Sequence, residues 1–197
     1  MEIDLTKSHP ALLILDLQEL FTSADGPFQN TTAAGLINEV NTFMTDCQQL
    51  KLPVIYSRYL LRDDLSDAGL LADNPVVKEG HFCASSASMK LDHRLQQIEA
   101  GIHLQRNRPG AFWGGELEQT LAQNNIDTLL LCGLSVNNAI STTAREAFAH
   151  DIPVVIVKEC SGAAPWETDL DIYFDILHTW TAEVASMQDI KQRLDKK

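Results

Sequence analysis

The chain has 197 residues, 45% hydrophobic and 21% charged, an ordinary globular composition that excludes disordered and collagen-like chains. Its 27 acidic against 15 basic residues give a formal net charge of −12. That sign argues against nucleic acid or an anionic membrane as partner, since both are negative themselves.

The opening MEIDLTKSHP lacks a basic segment followed by an apolar one, so no signal peptide is expected and the cytoplasm is the expected compartment. Ala11–Leu15 reads as a buried strand. Residues 32–50 carry Leu36, Val40, Phe43 and Cys47 at helical spacing, and Pro53 then opens a second strand, Val54-Ile55-Tyr56. Residues 59–100, with LRDDLSDAG and CASSAS, lack a period and predict loops and short helices over the sheet. Ile102 and Leu104 alternate with polar residues as a third strand, and Leu117 and Leu121 mark a short helix. Ile126–Cys132 predicts a fourth strand, 138–149 a helix, Val154–Val157 a fifth strand, 168–180 a helix, and Val184 a place in a sixth strand. The longest apolar runs hold about five residues, whereas a bilayer-spanning helix needs ~20.

Strand and helix in alternation predict an α/β fold: a doubly wound, mostly parallel six-stranded sheet with helices on both faces, as a single domain over 1–197. In such sheets ligands bind beyond the carboxyl ends of the strands. That rule selects Asp16, Gln18 and Phe21 after the first strand, Arg106, Arg108 and Phe112 after the third, and Gly133–Ala139 after the fourth. Asp16 ends a buried strand, where a carboxylate loses hydration unless it is paired, so it is either a proton carrier with a raised pKa or a helix cap. Arg106 and Arg108 are either partners for Asp16, grips for a substrate carboxylate, or solvated surface charges. The 133–139 segment is a strand-to-helix turn whose leading amides can bind an oxyanion or carboxylate, or it is a plain connection.

The cysteines at 47, 83, 132 and 160 show no CxxC pairing, and Cys132 lies within an apolar run as core filler. Cys83 and His81 are two apart in a loop-like segment without an elbow or helix start, which does not make a nucleophile pair. The histidines form no HxxxH pair, so neither a metal nor a cofactor is expected.

Three blocks, LLILDLQELF, RNRPGAFWGGELEQTL and LLLCGLSVNNAISTTAREAF, resemble the signature blocks of the isochorismatase-like cysteine hydrolases, in order and spacing, from about residue 10 to 190. The resemblance implies the doubly wound fold, a small-molecule substrate and a homo-oligomer, dimer or tetramer. It maps the family's catalytic Asp, Lys and Cys onto Asp16, Arg106 (five residues before Ala111-Phe112) and Ala139. The positive charge is kept at 106, while the nucleophile is absent at 139. The oxyanion hole maps to the backbone at Ser135 and Ala139, with a cis peptide at Leu134–Ser135. Phe21, Arg108, Phe112, Trp113, Ser135 and Asn137 are the expected substrate-binding residues. The metal-binding Asp and His of nicotinamidase-type members have no counterpart in Ser57-Arg58-Tyr59-Leu60-Leu61. Isochorismatases also carry a small residue in place of the Cys and cleave a vinyl ether by proton donation and water addition. Three functions follow: a hydrolase that needs no Cys nucleophile; an amide-cleaving cysteine hydrolase whose nucleophile was lost or engineered to Ala; or a small-molecule-binding homologue without turnover.

Overall fold

The computed structural model describes residues 2–28, 30–166 and 169–196. Six strands, β1 Pro10–Leu15, β2 Val54–Tyr59, β3 Ile102–Arg106, β4 Thr128–Leu134, β5 Val154–Gly162 and β6 Glu183–Ala185, form one sheet in the order β3-β2-β1-β4-β5-β6. Every pairing is parallel. Among the described residues the α-helices are α1 Glu19–Thr22, α2 Ala33–Gln49, α3 Pro75–Lys78, α4 Glu116–Gln123, α5 Ser141–Ala149 and α6 Leu170–Trp180 between the strands, and α7 Met187–Leu194 after the last.

The strand pattern explains the layers. Leu13, Leu15, Leu129, Leu131, Val154 and Ile156 point to one face and pack on α4, α5 and α6 through Leu117, Ala144 and Leu177. Their neighbours Leu12, Ile14, Leu130, Cys132, Val155 and Val157 point to the other, against Ile37, Val40 and Phe43 of α2 and Ile190 of α7. Strands buried on both faces show continuous apolar runs rather than alternation, as β1 and β4 do.

Some boundaries differ from the sequence expectation. β4 starts at Thr128 instead of Ile126 and runs on to Leu134. β5 continues past Val157 to Gly162, with the exposed Lys158 and Glu159 inside it; a register shift beside Leu131–Gly133 lets it run on. The helix expected over 138–149 begins as a wide turn, Val136–Ile140, in which Ile140 N–H donates to Ser135 O five residues back, before α5 proper. The helix expected from 168 is α6, starting at Leu170; Thr168 lies outside the described residues. α7 was not expected at all. Ser186 caps it, accepting from Asp189 N–H at 3.1 Å, and Ile190 and Leu194 dock on the sheet. Among the described residues no helix is long and apolar enough to cross a membrane.

Candidate active site

The strand order reverses between β1 and β4, and the carboxyl ends of the strands meet there. β1 leads into Asp16, whose φ of 55° bends the chain off the sheet. Asp16 N–H still donates to Ser57 O at 3.1 Å, which fixes the bend against β2. At the end of β4, Gly133 (φ 114°) pairs with Leu15; a Cβ there would sit 2.1 Å from Leu15 O. Only glycine lets β4 approach this closely and deliver the 135–139 turn beside Asp16. The Leu134–Ser135 peptide is cis.

Arg106 ends β3, two strands away from β1. Its side chain reaches across the end of β2, over the Tyr59 ring at 5.5 Å, and Nη2 donates to Asp16 Oδ2 at 2.5 Å. Nη1 donates to Arg108 O at 2.6 Å. Both partners are buried, with Asp16 7% and Arg106 5% exposed. Burial raises the Asp16 pKa above the usual carboxylate value, and the Arg106 charge, its hydrogen bond and the Tyr59 backbone N–H oppose that rise. Asp16 Oδ1 is buried with no hydrogen-bond partner among the described residues. One oxygen is therefore held by the Arg106 guanidinium, and the other has no hydrogen-bond partner among the described residues.

Asp16, Tyr59, Ser135, Asn138 and Ala139 share the wall of a cavity of about 520 Å³, within the range of small-molecule sites. Phe21, Phe28, Phe82 and Trp166 line it as well. Ala139 is 2% exposed, so a cysteine at that position would begin at the cavity wall. The four cysteines present are elsewhere and buried; burial pushes the Cys47 thiol up to about 12 and raises Cys83, Cys132 and Cys160 too. Buried thiols of this kind are poor nucleophiles. His81 contacts Glu79 at 3.4 Å, and Cys83 Sγ contacts Asp63 O at 3.9 Å.

The structure thus gathers Asp16, Phe21, Ser135 and Ala139 around one cavity, with Arg106 behind Asp16. Four other residues expected at the substrate lie off its wall. Arg108 donates to Asp67 O and Asn107 O and lies 5.4 Å from the ring of Trp113, which lines a shallow groove on the far side of Arg106. Phe112 turns into the core and stacks on His150 at 5.1 Å, because Glu146 accepts from its N–H and Thr143 accepts from Ala111 N–H, binding this loop to α5. Asn137 accepts from Ser135 Oγ at 3.2 Å, and its neighbour Asn138 takes the cavity side. Residues not expected are Tyr59, Phe28, Phe82 and Trp166. The strand-end rule, applied to β2, selects Tyr59. The other three lie in loops without a period.

Outside the cavity, carboxylate or imidazole atoms of Glu19, Asp92 and His93 lie within 4.8 Å of one another. Glu19 Oε1 accepts from His93 N–H at 3.0 Å and lies 2.8 Å from His93 Nδ1, and both Asp92 oxygens accept from Arg94, with Thr22 Oγ1 also donating to Oδ2. The cluster ties α1 to the 91–95 segment.

The isochorismatase domain family model matches residues 10–189. The chain belongs to the isochorismatase family. An isochorismatase family protein of Escherichia coli O157:H7, YecD, is 28% identical over 199 residues, covering 98% of this chain and all of that protein. The N-carbamoylsarcosine amidase of an Arthrobacter species is 25% identical, over 95% of this chain and 72% of the relative. Among solved structures, a cysteine hydrolase from Pseudomonas syringae pv. phaseolicola superposes with a TM-score of 0.88 at 18% identity, covering 99% of this chain and 95% of that one. This isochorismatase-family chain therefore has the hydrolase fold of its relatives, with alanine and arginine at two of the three positions where the resemblance puts catalytic groups.

Proposed function

We propose that this chain hydrolyses a small molecule by acid catalysis from Asp16, with no thiol nucleophile and no cofactor. The observation that carries this reading is the division of labour on one buried carboxyl: Oδ2 accepts from Arg106, while Oδ1 has no partner in a cavity that Ala139 also lines. Burial favours the protonated acid, and Arg106 fixes the oxygen that does not carry the proton.

A vinyl ether suits this equipment. Asp16 Oδ1–H gives its proton to the terminal enol carbon, forming a C–H bond and leaving an oxygen-stabilised cation at the adjacent carbon. Water adds there and returns a proton to Asp16. The hemiketal then collapses, its hydroxyl proton passing to the departing oxygen, to yield a carbonyl compound and an alcohol. One water is consumed per C–O bond cleaved. Arg106 serves as the hydrogen-bond donor that holds Asp16 Oδ2 and is given no part in the proton transfer.

The experiment is incubation with neutral and anionic vinyl ethers, α-methoxystyrene and isochorismate among them, and assay of the carbonyl product, acetophenone or pyruvate. Wild type is expected to release product from at least one of them and Asp16→Asn to lose at least 100-fold on it, the lower end for a general acid. Equal rates overturn the proposal. A second reading, amide cleavage by a nucleophile absent here, draws support from the position of Ala139 on the cavity wall and from the amidase relative. Ala139→Cys assayed on small amides tests it: turnover by this variant favours the amidase reading, and none counts against it. Saturable ligand binding without turnover by either protein favours the binding homologue.

A further inference from the structure

Five aromatic rings form one continuous wall along the cavity. Trp166 meets Phe28 edge-on with centroids 5.5 Å apart, and Phe28 stacks on Phe21 at 5.6 Å with planes 12° apart. Phe21 meets Phe82 edge-on at 5.8 Å, and Phe82 meets Tyr59 at 5.6 Å. The wall starts at Trp166, 64% exposed, and ends at Tyr59, 5% exposed, under Arg106. It therefore runs from the mouth to the floor. At the floor, Tyr59 Oη is buried with no partner among the described residues, as Asp16 Oδ1 is. An orphaned buried hydroxyl costs roughly 1–3 kcal/mol. Of the four such side-chain atoms among the described residues, Asp16 Oδ1 and Tyr59 Oη belong to residues that line the cavity and Arg106 Nε lies directly behind them, so the orphaned groups concentrate at this end of the cavity, where a ligand would satisfy them.

The described residues on the wall include no lysine or arginine. The nearest cation, Arg106, is behind Asp16; its Nη1 and Nη2 are engaged by Arg108 O and Asp16, and its Nε is buried with no partner among the described residues. Along the ring wall itself, a carboxylate on the ligand would meet no cationic side chain among the described residues. Burying a charge without a partner is far costlier than burying a flat apolar group against rings.

We propose that the cavity binds an uncharged ligand with a flat apolar ring laid along the Trp166–Phe28–Phe21–Phe82 wall and one hydrogen-bond acceptor taken by Tyr59 Oη. This deepens the acid-catalysis reading and rests on it for the site's purpose, since the same ligand places its acceptor beside Asp16. Tyr59 is then a specificity residue. Burial raises its pKa, so the hydroxyl stays a donor throughout the neutral range.

Acetophenone is a suitable probe: flat, neutral, with one acceptor and no bond for water to cleave. Binding is measured by titration calorimetry on the full chain, with benzoate, cyclohexyl methyl ketone and ethylbenzene as comparators. Acetophenone is expected to bind at least tenfold more tightly than benzoate and several-fold more tightly than the cyclohexyl ketone. Trp166→Ala is expected to weaken it roughly tenfold. Tyr59→Phe, which keeps the ring and the fold, is expected to weaken acetophenone about five- to tenfold and leave ethylbenzene unchanged. The proposal is overturned by benzoate binding as tightly as acetophenone, by equal loss of ethylbenzene and acetophenone in Tyr59→Phe, or by no saturable binding of acetophenone to wild type. The two readings fail separately. α-Methoxystyrene carries the same ring on a vinyl ether and gives acetophenone and methanol; if acetophenone binds but α-methoxystyrene turns over no faster than with Asp16→Asn, acid catalysis falls and the ligand class stands. Pyruvate release from isochorismate without acetophenone binding gives the reverse.

Discussion

The side-chain amide of Gln18 grips both backbone polar groups of Tyr59: Nε2 donates to Tyr59 O at 3.1 Å, and Oε1 accepts from Tyr59 N–H at 2.8 Å. Nε2 also donates to Met89 O at 3.0 Å, and Gln18 is fully buried. Gln18 lies just beyond the first strand-end position, Asp16. The same short segment thus supplies the acid and clamps the residue at the cavity floor. Replacing it with an apolar isostere, Gln18→Leu, leaves a buried N–H and two carbonyls short of partners, each worth roughly 1–3 kcal/mol. The expected loss is about 3 kcal/mol by urea denaturation. Acetophenone affinity is expected to fall with it, because Tyr59 is no longer held in place. Unchanged affinity in a destabilised protein would show that Gln18 only supports the fold.

The pH dependence of turnover follows from the raised Asp16 pKa. A general acid works protonated, so activity is retained below the folded-state pKa and falls as pH rises through it. Raising that pKa moves the falling limb upward from the usual carboxylate range. Stability takes the same sign: the contribution of the neutral buried acid is complete below the unfolded pKa near 3.8 and is lost as pH rises through the folded value. Arg106 opposes the rise, so Arg106→Met is expected to move the falling limb of the kcat/KM profile to still higher pH. A limb that stays in place in Arg106→Met, or that is absent from wild type, removes Asp16 from the proton-donating role.

Much of this architecture was legible in the sequence, for a physical reason. Strands buried on both faces cannot hide their composition, so ALLIL and TLLLC announced β1 and β4, and their ends led to Asp16 and to the 133–139 turn. The Asp16–Arg106 pair spans 90 residues, and only the parallel topology brings it together. What escaped was set by side-chain direction and loop packing. Phe112 and Asn137 stand next to residues with a cavity or loop-anchoring role, but hydrogen bonds to α5 and within the turn aim them elsewhere. Phe28, Phe82 and Trp166 come from three loops whose convergence has no sequence period. α7 had a usable signal, Ser186 followed by Asp189, Ile190 and Leu194.

Asp92 is expected to contribute to the loss of stability in acid. Burial of this carboxylate disfavours its charge, but hydrogen bonds from Arg94 and Thr22 outweigh that and hold the pKa at about 2. A depressed folded-state pKa stabilises above the unfolded value of 3.8 and is lost as pH falls toward 2. The gap corresponds to roughly 2 kcal/mol. Asp92→Asn is expected to remove about that much at pH 7 and to flatten the stability profile between pH 4 and 2, measured by urea titration at fixed pH. A variant as acid-sensitive as wild type would assign that slope to other carboxylates.

Two glycines separate strain from collision. Gly114 has φ 87° and open space around its Cβ position, so Gly114→Ala meets only the cost of a left-handed alanine, roughly 1–2 kcal/mol. Gly133 has φ 114° and would put its Cβ 2.1 Å from Leu15 O and 2.7 Å from Leu15 N, both of them main chain in the middle of the sheet. No side chain can move to relieve that contact. Gly133→Ala must push β4 away from β1, and the 135–139 turn moves with β4. Gly133→Ala is expected to cost more than 4 kcal/mol, beyond the usual range for one substitution, and any folded fraction to lose ligand binding and turnover together. Gly114→Ala should keep both. Denaturation curves and acetophenone titrations on the two variants test this. If Gly133→Ala folds with wild-type affinity, the approach of β4 to Leu15 is not what places Ala139 and Ser135 beside Asp16.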